Sequence, residues 1–162
     1  MRYEEPERPQ MDEIIKAKIL TLLDQHRKMT VATLRADGWP QATTVGYAND
    51  GLILYFLCGV DSQKASNLAR DGRVSLTIDE DTEQVMKITG LSMAARAQAV
   101  VDRGEAEQAL RLLMGKYPKQ QSLPTSLPMP NPENVRIFRL TPTVISVLDY
   151  SQGFGHTDLV VM

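Results

Sequence analysis

Three short extended runs joined by two tight turns constrain this chain more than anything else in it. Residues 29–35 are apolar and β-branched, Asp37-Gly38 is a turn pair, and residues 41–48 form a second extended run. Asn49, Asp50 and Gly51 make another turn, and residues 52–58 (LILYFLC) read as a buried strand. Three strands within about thirty residues leave no room for crossover helices, so they predict an antiparallel meander with each strand beside the next. Alternation sets Gln41, Thr43 and Val45 on one face of the second strand and Ala42, Thr44 and Gly46 on the other.

The flanking segments fit around such a sheet. Between residues 11 and 27 the apolar positions Ile14, Ile15, Ile19, Leu22 and Leu23, with the stem of Lys18, recur at helical spacing. Asp12 and Glu13 in front and Arg27 and Lys28 behind suit the helix dipole. A short helix over 62–70, capped by Asp61 or Ser62 with Leu68 inward, stops at Asp71-Gly72, and 73–78 is a fourth strand. Residues 79–83 are an acidic solvated loop, and 87–102, with Gly90, Ala94, Ala95 and Ala97, reads as one or two strands. Residues 104–117 predict a helix with Ala106, Ala109, Leu110 and Leu113 inward. Pro124, Pro128, Pro130 and Pro132 make 119–133 a loop or lid, and 135–150 is a last strand interrupted at Pro142. Residues 1–10 read as an arm and 151–162 as a tail. Hairpin-linked strands without strict β-α-β alternation predict a small antiparallel barrel with helices at its ends, in one domain over 1–162.

Composition removes several functional classes. A formal charge of −2 on 162 residues is not the basic footprint of a protein that lives on the nucleic-acid backbone. The longest apolar run, 52–60, is nine residues, half of what a bilayer span needs. A lone cysteine, Cys58, allows no intrachain disulfide, and the polar N-terminus has no apolar signal core, so a cytoplasmic location is expected. One cysteine and two distant histidines, His26 and His156, build no zinc site of the usual kind. There is no P-loop, no dinucleotide glycine fingerprint and no Gly-x-Ser-x-Gly elbow. An enzyme built from this chain would leave the hard step to a cofactor.

The segment 61–68 (DSQKASNL) sets a hydroxyl, an amide and an ammonium on the first turn of a helix that follows a buried strand. Two readings stand: a capped, solvent-facing helix start, or an anion site in which Ser62 and Lys64 add a donor and a charge to free N–H groups. Cys58 reads as a buried small hydrophobe and His26 as a helix-end cap. His156 lies between Gly155 and the end of the chain, with Gly153, Tyr150 and Phe154 near it in sequence, and is either a ligand contact or part of a packed tail.

In order, 33–47 (TLRADGWPQATTVGY), Leu54-Tyr55-Phe56, Ser62-Gln63-Lys64 and Asn67-Leu68 resemble the FMN-binding split-barrel family typified by pyridoxamine 5'-phosphate oxidase. The family pattern is a strand, an Asp/Asn-Gly turn, two more strands and a Ser-Arg-Lys that opens a helix; the match runs over 29–78 and more weakly through 148. The resemblance implies a six-stranded antiparallel split barrel and FMN as cofactor. It also implies a homodimer with a flavin in each seam. It puts Thr43, Thr44, Val45, Leu57 and Cys58 beside the cofactor, and Ser62, Gln63 and Lys64 at its phosphate. Gln63 in place of the arginine removes a charge and a bidentate fork. Leu91 and Ser92 fall where the family reaches the flavin of the partner, and the small residues of 90–97 would let two backbones approach. The oxidase itself is not implied: Val45 or Gly46 stands where it has a lysine, and Phe154-Gly155-His156 lacks the arginine of its Arg-x-His. The expectation is an FMN-dependent oxidoreductase with an unidentified small substrate. The alternatives are a deazaflavin (F420) reductase if a wide basic groove is present, a haem-binding or haem-degrading relative with His156 as axial ligand, and a non-catalytic flavin-binding stress protein.

Overall fold

A computed structural model describes residues 11–118 and 132–162; the expected arm and most of the proline-rich loop lie outside the described residues. Helix α1 (Glu13–Gln25) starts where the Asp12 side chain accepts from Ile14 N–H at 2.8 Å, and it turns Ile19 and Leu23 inward. Strands β1 (Lys28–Leu34) and β2 (Pro40–Gly46) form a hairpin whose turn uses Gly38 at φ +86°. A second hairpin joins β3 (Ala48–Asp50) to β4 (Ile53–Gly59). Helix α2 (Gln63–Arg70), β5 (Arg73–Asp79), β6 (Thr89–Ala99), α3 (Arg103–Lys116), β7 (Val135–Asp149) and β8 (Thr157–Val161) follow.

All strands pair antiparallel in one curled sheet ordered β2-β1-β5-β6-β7-β4-β3, with β8 also on β7. This is a split barrel, and it departs from the sequence reading in three respects. The meander does not form: β4 pairs with β7 at the far end of the sheet instead of with β2. Between β2 and β3 the fully buried Tyr47 donates its hydroxyl to Leu23 O at 2.6 Å, tying this stretch of chain to α1. The tail is a strand, since 144–148 of β7 pair with β8 beyond the stretch where β4 pairs, and with the short β3 it brings the sheet to eight strands instead of six. Finally, Pro142 does not interrupt β7. The register shifts between Ala94 and Ala95, and this bulge accommodates a residue that has no N–H to donate.

The core fills the concave side of the sheet. Leu54, Phe56, Leu76, Ile78, Met93, Leu140 and Ile145 are almost fully buried, and Phe56 stacks on Phe138 with ring centroids 5.5 Å apart. Leu91 belongs to this core at 2% exposure, so its side chain faces the barrel interior. The small residues of β6 also serve the chain's own packing: a Cβ on Gly90 would lie 2.8 Å from Ile78 O. No helix among the described residues is long and apolar enough to cross a membrane.

The two ends of the sheet differ. At one, Lys28, Gly46, Asp79, Thr89 and Asp149 meet beneath α1; at the other, Leu34, Pro40, Arg73, Gly59 and Val135 meet beside α2. Strands β2 and β4 approach across the barrel without a hydrogen-bonded ladder, and α2, packed on β1 and β4, bridges that gap at its end.

Candidate functional site

The start of α2 is built by its neighbours. Ser62 is the N-cap: its Oγ accepts from Ala65 N–H at 3.1 Å and donates to Gly59 O at 2.7 Å. Ala65 and Leu68 anchor the helix in the core. Asn67, fully buried, donates to Thr33 Oγ1 at 2.9 Å and to Gln41 Oε1 at 3.3 Å. Gln63, one turn earlier, donates its Nε2 to Asn67 Oδ1 at 2.8 Å. The amide that stands in for an arginine is therefore committed to holding Asn67. Lys64 is half-buried and makes no ion pair among the described residues. The N–H groups of Gln63 and Lys64 open the helix, where no intrahelical acceptor reaches them and the dipole favours an anion.

From this corner the free edge of β2 runs along the gap. Gln41, Thr43 and Val45 face inward, opposite Thr33, Val31 and Met29 of β1. Thr43 Oγ1 is buried without a hydrogen-bond partner, an uncommon state for a hydroxyl on a strand.

The other residues singled out from the sequence are placed elsewhere. Thr44 faces outward opposite Thr30, so the two adjacent threonines cannot both turn side chains to one planar ring. Leu57 is half-buried on the face of β4 opposite Cys58, and Cys58 lies in the core. Ser92 is on the outer face between Thr77 and Ser146. His156 directly precedes β8 at the α1 end, remote in register from α2, with Nε2 3.2 Å from Asp158 Oδ2. Tyr150 and Phe154 contact each other, ring centroids 5.5 Å apart. The structure thus links the start of α2, with Ser62, Gln63 and Lys64, through Asn67 to Gln41 of β2, whose inward face carries Thr43 and Val45, and it places Thr44, Ser92, Cys58, Leu91 and His156 elsewhere. Thr33, Gln41 and Asn67 were not assigned roles from the sequence. They lay within the ordered family motif, and the four-residue spacing of Gln63 and Asn67, which puts two amides on one helix face, was the signal for that pair.

The residues on this edge fit a phosphorylated, planar cofactor: Lys64 and two free N–H groups for the phosphate, and an unpartnered buried hydroxyl for a polar ring edge. The described residues hold no group of three His, Cys, Asp or Glu side chains placed to bind a metal ion.

The sequence model of the pyridoxamine 5'-phosphate oxidase family matches residues 15–149, and the chain belongs to that family. No curated protein matches the sequence. Among solved structures, the conserved hypothetical protein Rv2991 of Mycobacterium tuberculosis is similar at 23% identity and a TM-score of 0.70, over 96% of both chains. A heme-binding protein of Mycobacterium smegmatis is 18% identical with a TM-score of 0.72, over 95% of this chain and 59% of its own. HutZ, a heme storage protein of Vibrio cholerae, is 19% identical with a TM-score of 0.63, over 90% of this chain and 92% of its own. Identities this low establish a shared fold and nothing about ligands.

Proposed function

We propose that the chain is an FMN-binding oxidoreductase that works as a homodimer on a small substrate. The observation that carries this reading is the combination of an unpartnered buried hydroxyl, Thr43 Oγ1 on β2, with Lys64 at the start of α2, which makes no ion pair among the described residues. Lys64 and the first N–H groups of α2 would hold the phosphate, with Ser62 keeping the helix start in place through its bond to Gly59 O. Asn67, locked by Gln63, Thr33 and Gln41, fixes α2 against β2, and so fixes the spacing between the phosphate corner and Thr43. Thr43 would supply a hydrogen bond without charge, and Val45, two residues on and packed against the core, would give the ring an apolar neighbour. The bound flavin would supply hydride or electron exchange, which asks little acid–base chemistry of the protein.

Titration of flavin-free protein with FMN, followed by fluorescence quenching, tests the reading. Lys64→Ala should weaken binding by about tenfold or more, the value of a charge-assisted contact. Gln63→Ala should weaken it less, because that side chain serves Asn67. A protein that fails to bind FMN at all removes the proposal.

A haem reading has one observation in its favour: the His156 ring is held by a carboxylate, Asp158, as ligating imidazoles commonly are. The absorption spectrum of protein incubated with each cofactor separates the two, a Soret band against flavin bands. The deazaflavin reading called for a wide basic groove; the large cavity at the α1 end instead sets Asp79, Glu80 and Asp81 against Arg27 and Lys28.

A further inference from the structure

At the end of the sheet remote from Lys64, a cavity of about 620 Å³ opens beside the C-terminus of α1. Its floor is a row of three hydroxyls, because Thr44, Thr30 and Thr77 stand directly opposite one another on β2, β1 and β5. His26 lines one side, and the acidic segment Asp79, Glu80 and Asp81 lines another.

The His26 side chain is only 10% exposed. Its Nδ1 lies 2.7 Å from Leu22 O, which can only accept, so Nδ1 carries a proton and Nε2 of the neutral ring presents a lone pair. Nε2 is on the far side of the ring from Leu22 O. It has no hydrogen-bond partner, and the nearest charged atom, Glu80 Oε2, is 3.8 Å away, beyond hydrogen-bonding distance. A buried acceptor without a donor is unfavourable unless a ligand supplies one. The carboxylates beside it are acceptors as well, and neither Asp79 nor Asp81 forms an ion pair among the described residues. Two cations face them: Arg27, whose Nε is committed to Lys116 O at 2.8 Å, and Lys28. The cavity is therefore rich in acceptors and carries one more negative than positive charge.

We propose that this cavity binds a small organic cation carrying a protonated primary amine. One N–H donates to His26 Nε2, the positive charge lies against Glu80 with Asp79 and Asp81 near it, and the rest of the molecule lies on the threonine row. Glu80 covers Nε2, and its side chain, 74% exposed, is free to swing aside as the ligand enters. A bare metal ion fits less well: the space is many times larger than an ion, and no three ligating side chains converge there among the described residues. The site shares no side chain with Thr43, Lys64 or α2, so it stands whether or not the protein binds flavin.

Calorimetric titration of the full-length protein with putrescine, with butanediol as its uncharged counterpart, tests this. One putrescine should bind per chain and butanediol should not. Glu80→Gln should weaken binding by about tenfold or more, and Glu83→Gln, outside the cavity, should leave it unchanged. The His26 imidazole NMR resonances should shift on addition of putrescine, a readout that requires no variant at the buried ring. Absence of saturable putrescine binding, or equal losses in the Glu80 and Glu83 variants, would overturn the proposal. So would zinc binding that Glu80→Gln abolishes in a protein that ignores amines.

Discussion

Thr43 is where the cofactor reading meets the chain's own stability. Its hydroxyl is buried and unpartnered, so Thr43→Val removes an unsatisfied polar atom and keeps the β-branched shape. The flavin-free variant should be more stable by about 1 kcal/mol in urea unfolding. It should also bind FMN more weakly than the parent. If stability rises and affinity is unchanged, Thr43 takes no part in binding. Function and packing are harder to separate at Asn67, since a buried amide with bonds to Gln63, Thr33 and Gln41 is needed for both.

Between elements, the ends of the helices carry much of the specificity. Lys116, at the end of α3, donates to Leu23 O at 2.6 Å and His26 O at 2.7 Å, and so closes the C-terminus of α1. Its ammonium lies 4.8 Å from the centre of the Tyr47 ring, and burial holds its pKa below the ordinary lysine value. Lys116→Met should keep the packing of the stem and lose the cap, at a cost of about 2 kcal/mol in urea unfolding. At the end of β7, the Lys18 ammonium donates to Asp149 at 2.7 Å, with Ser151 and Gln152 adding further bonds. These bonds, Lys18 first, hold the Asp149 carboxyl well below its ordinary value of 3.8. A depressed carboxyl stabilises the fold above its unfolded pKa, and that contribution is lost as the pH falls. Asp149→Asn should therefore lower the melting temperature at neutral pH, and the gap from the parent should close as the pH drops below 3.8.

Across the whole molecule, the proposed homodimer has a candidate face in the convex side of the sheet. Its cross-strand rows are small or polar, such as Ala42, Ala32, Ser75 and Ala94, and they end at the exposed apolar side chains of Leu159 and Val161 on β8. A homodimer built on this face should scatter light as a dimer, and Leu159→Asp should shift it to monomer, because a carboxylate would be desolvated in the interface. Leu91→Arg would not test this: Leu91 is buried in its own barrel, and the charge would unfold the chain. A Leu159→Asp monomer that retains its full flavin content would place the cofactor site within one protomer.

The helices, most strand boundaries and the start of α2 were legible in the sequence because each rests on local physics. Apolar residues at helical spacing made α1, Asp37-Gly38 turned β1 into β2, and Ser62 capped α2. The ordered motif through Asn67 also carried the family. Partnership across the sheet was not legible. Spacing along the chain encodes neither the bond from Tyr47 to Leu23 nor the pairing of β4 with β7. The tail became β8 because β7 offered an unpaired edge beyond β4, a vacancy created only once the sheet had formed. The site follows the same division. Residue types named Ser62, Gln63 and Lys64, whereas only the fold separated Thr43 from Thr44, tied Gln63 to Asn67, and left His26 Nε2 without a donor. Local propensity acts through neighbours along the chain. Burial and hydrogen-bond satisfaction depend on neighbours in space, and those were decided by the tertiary structure.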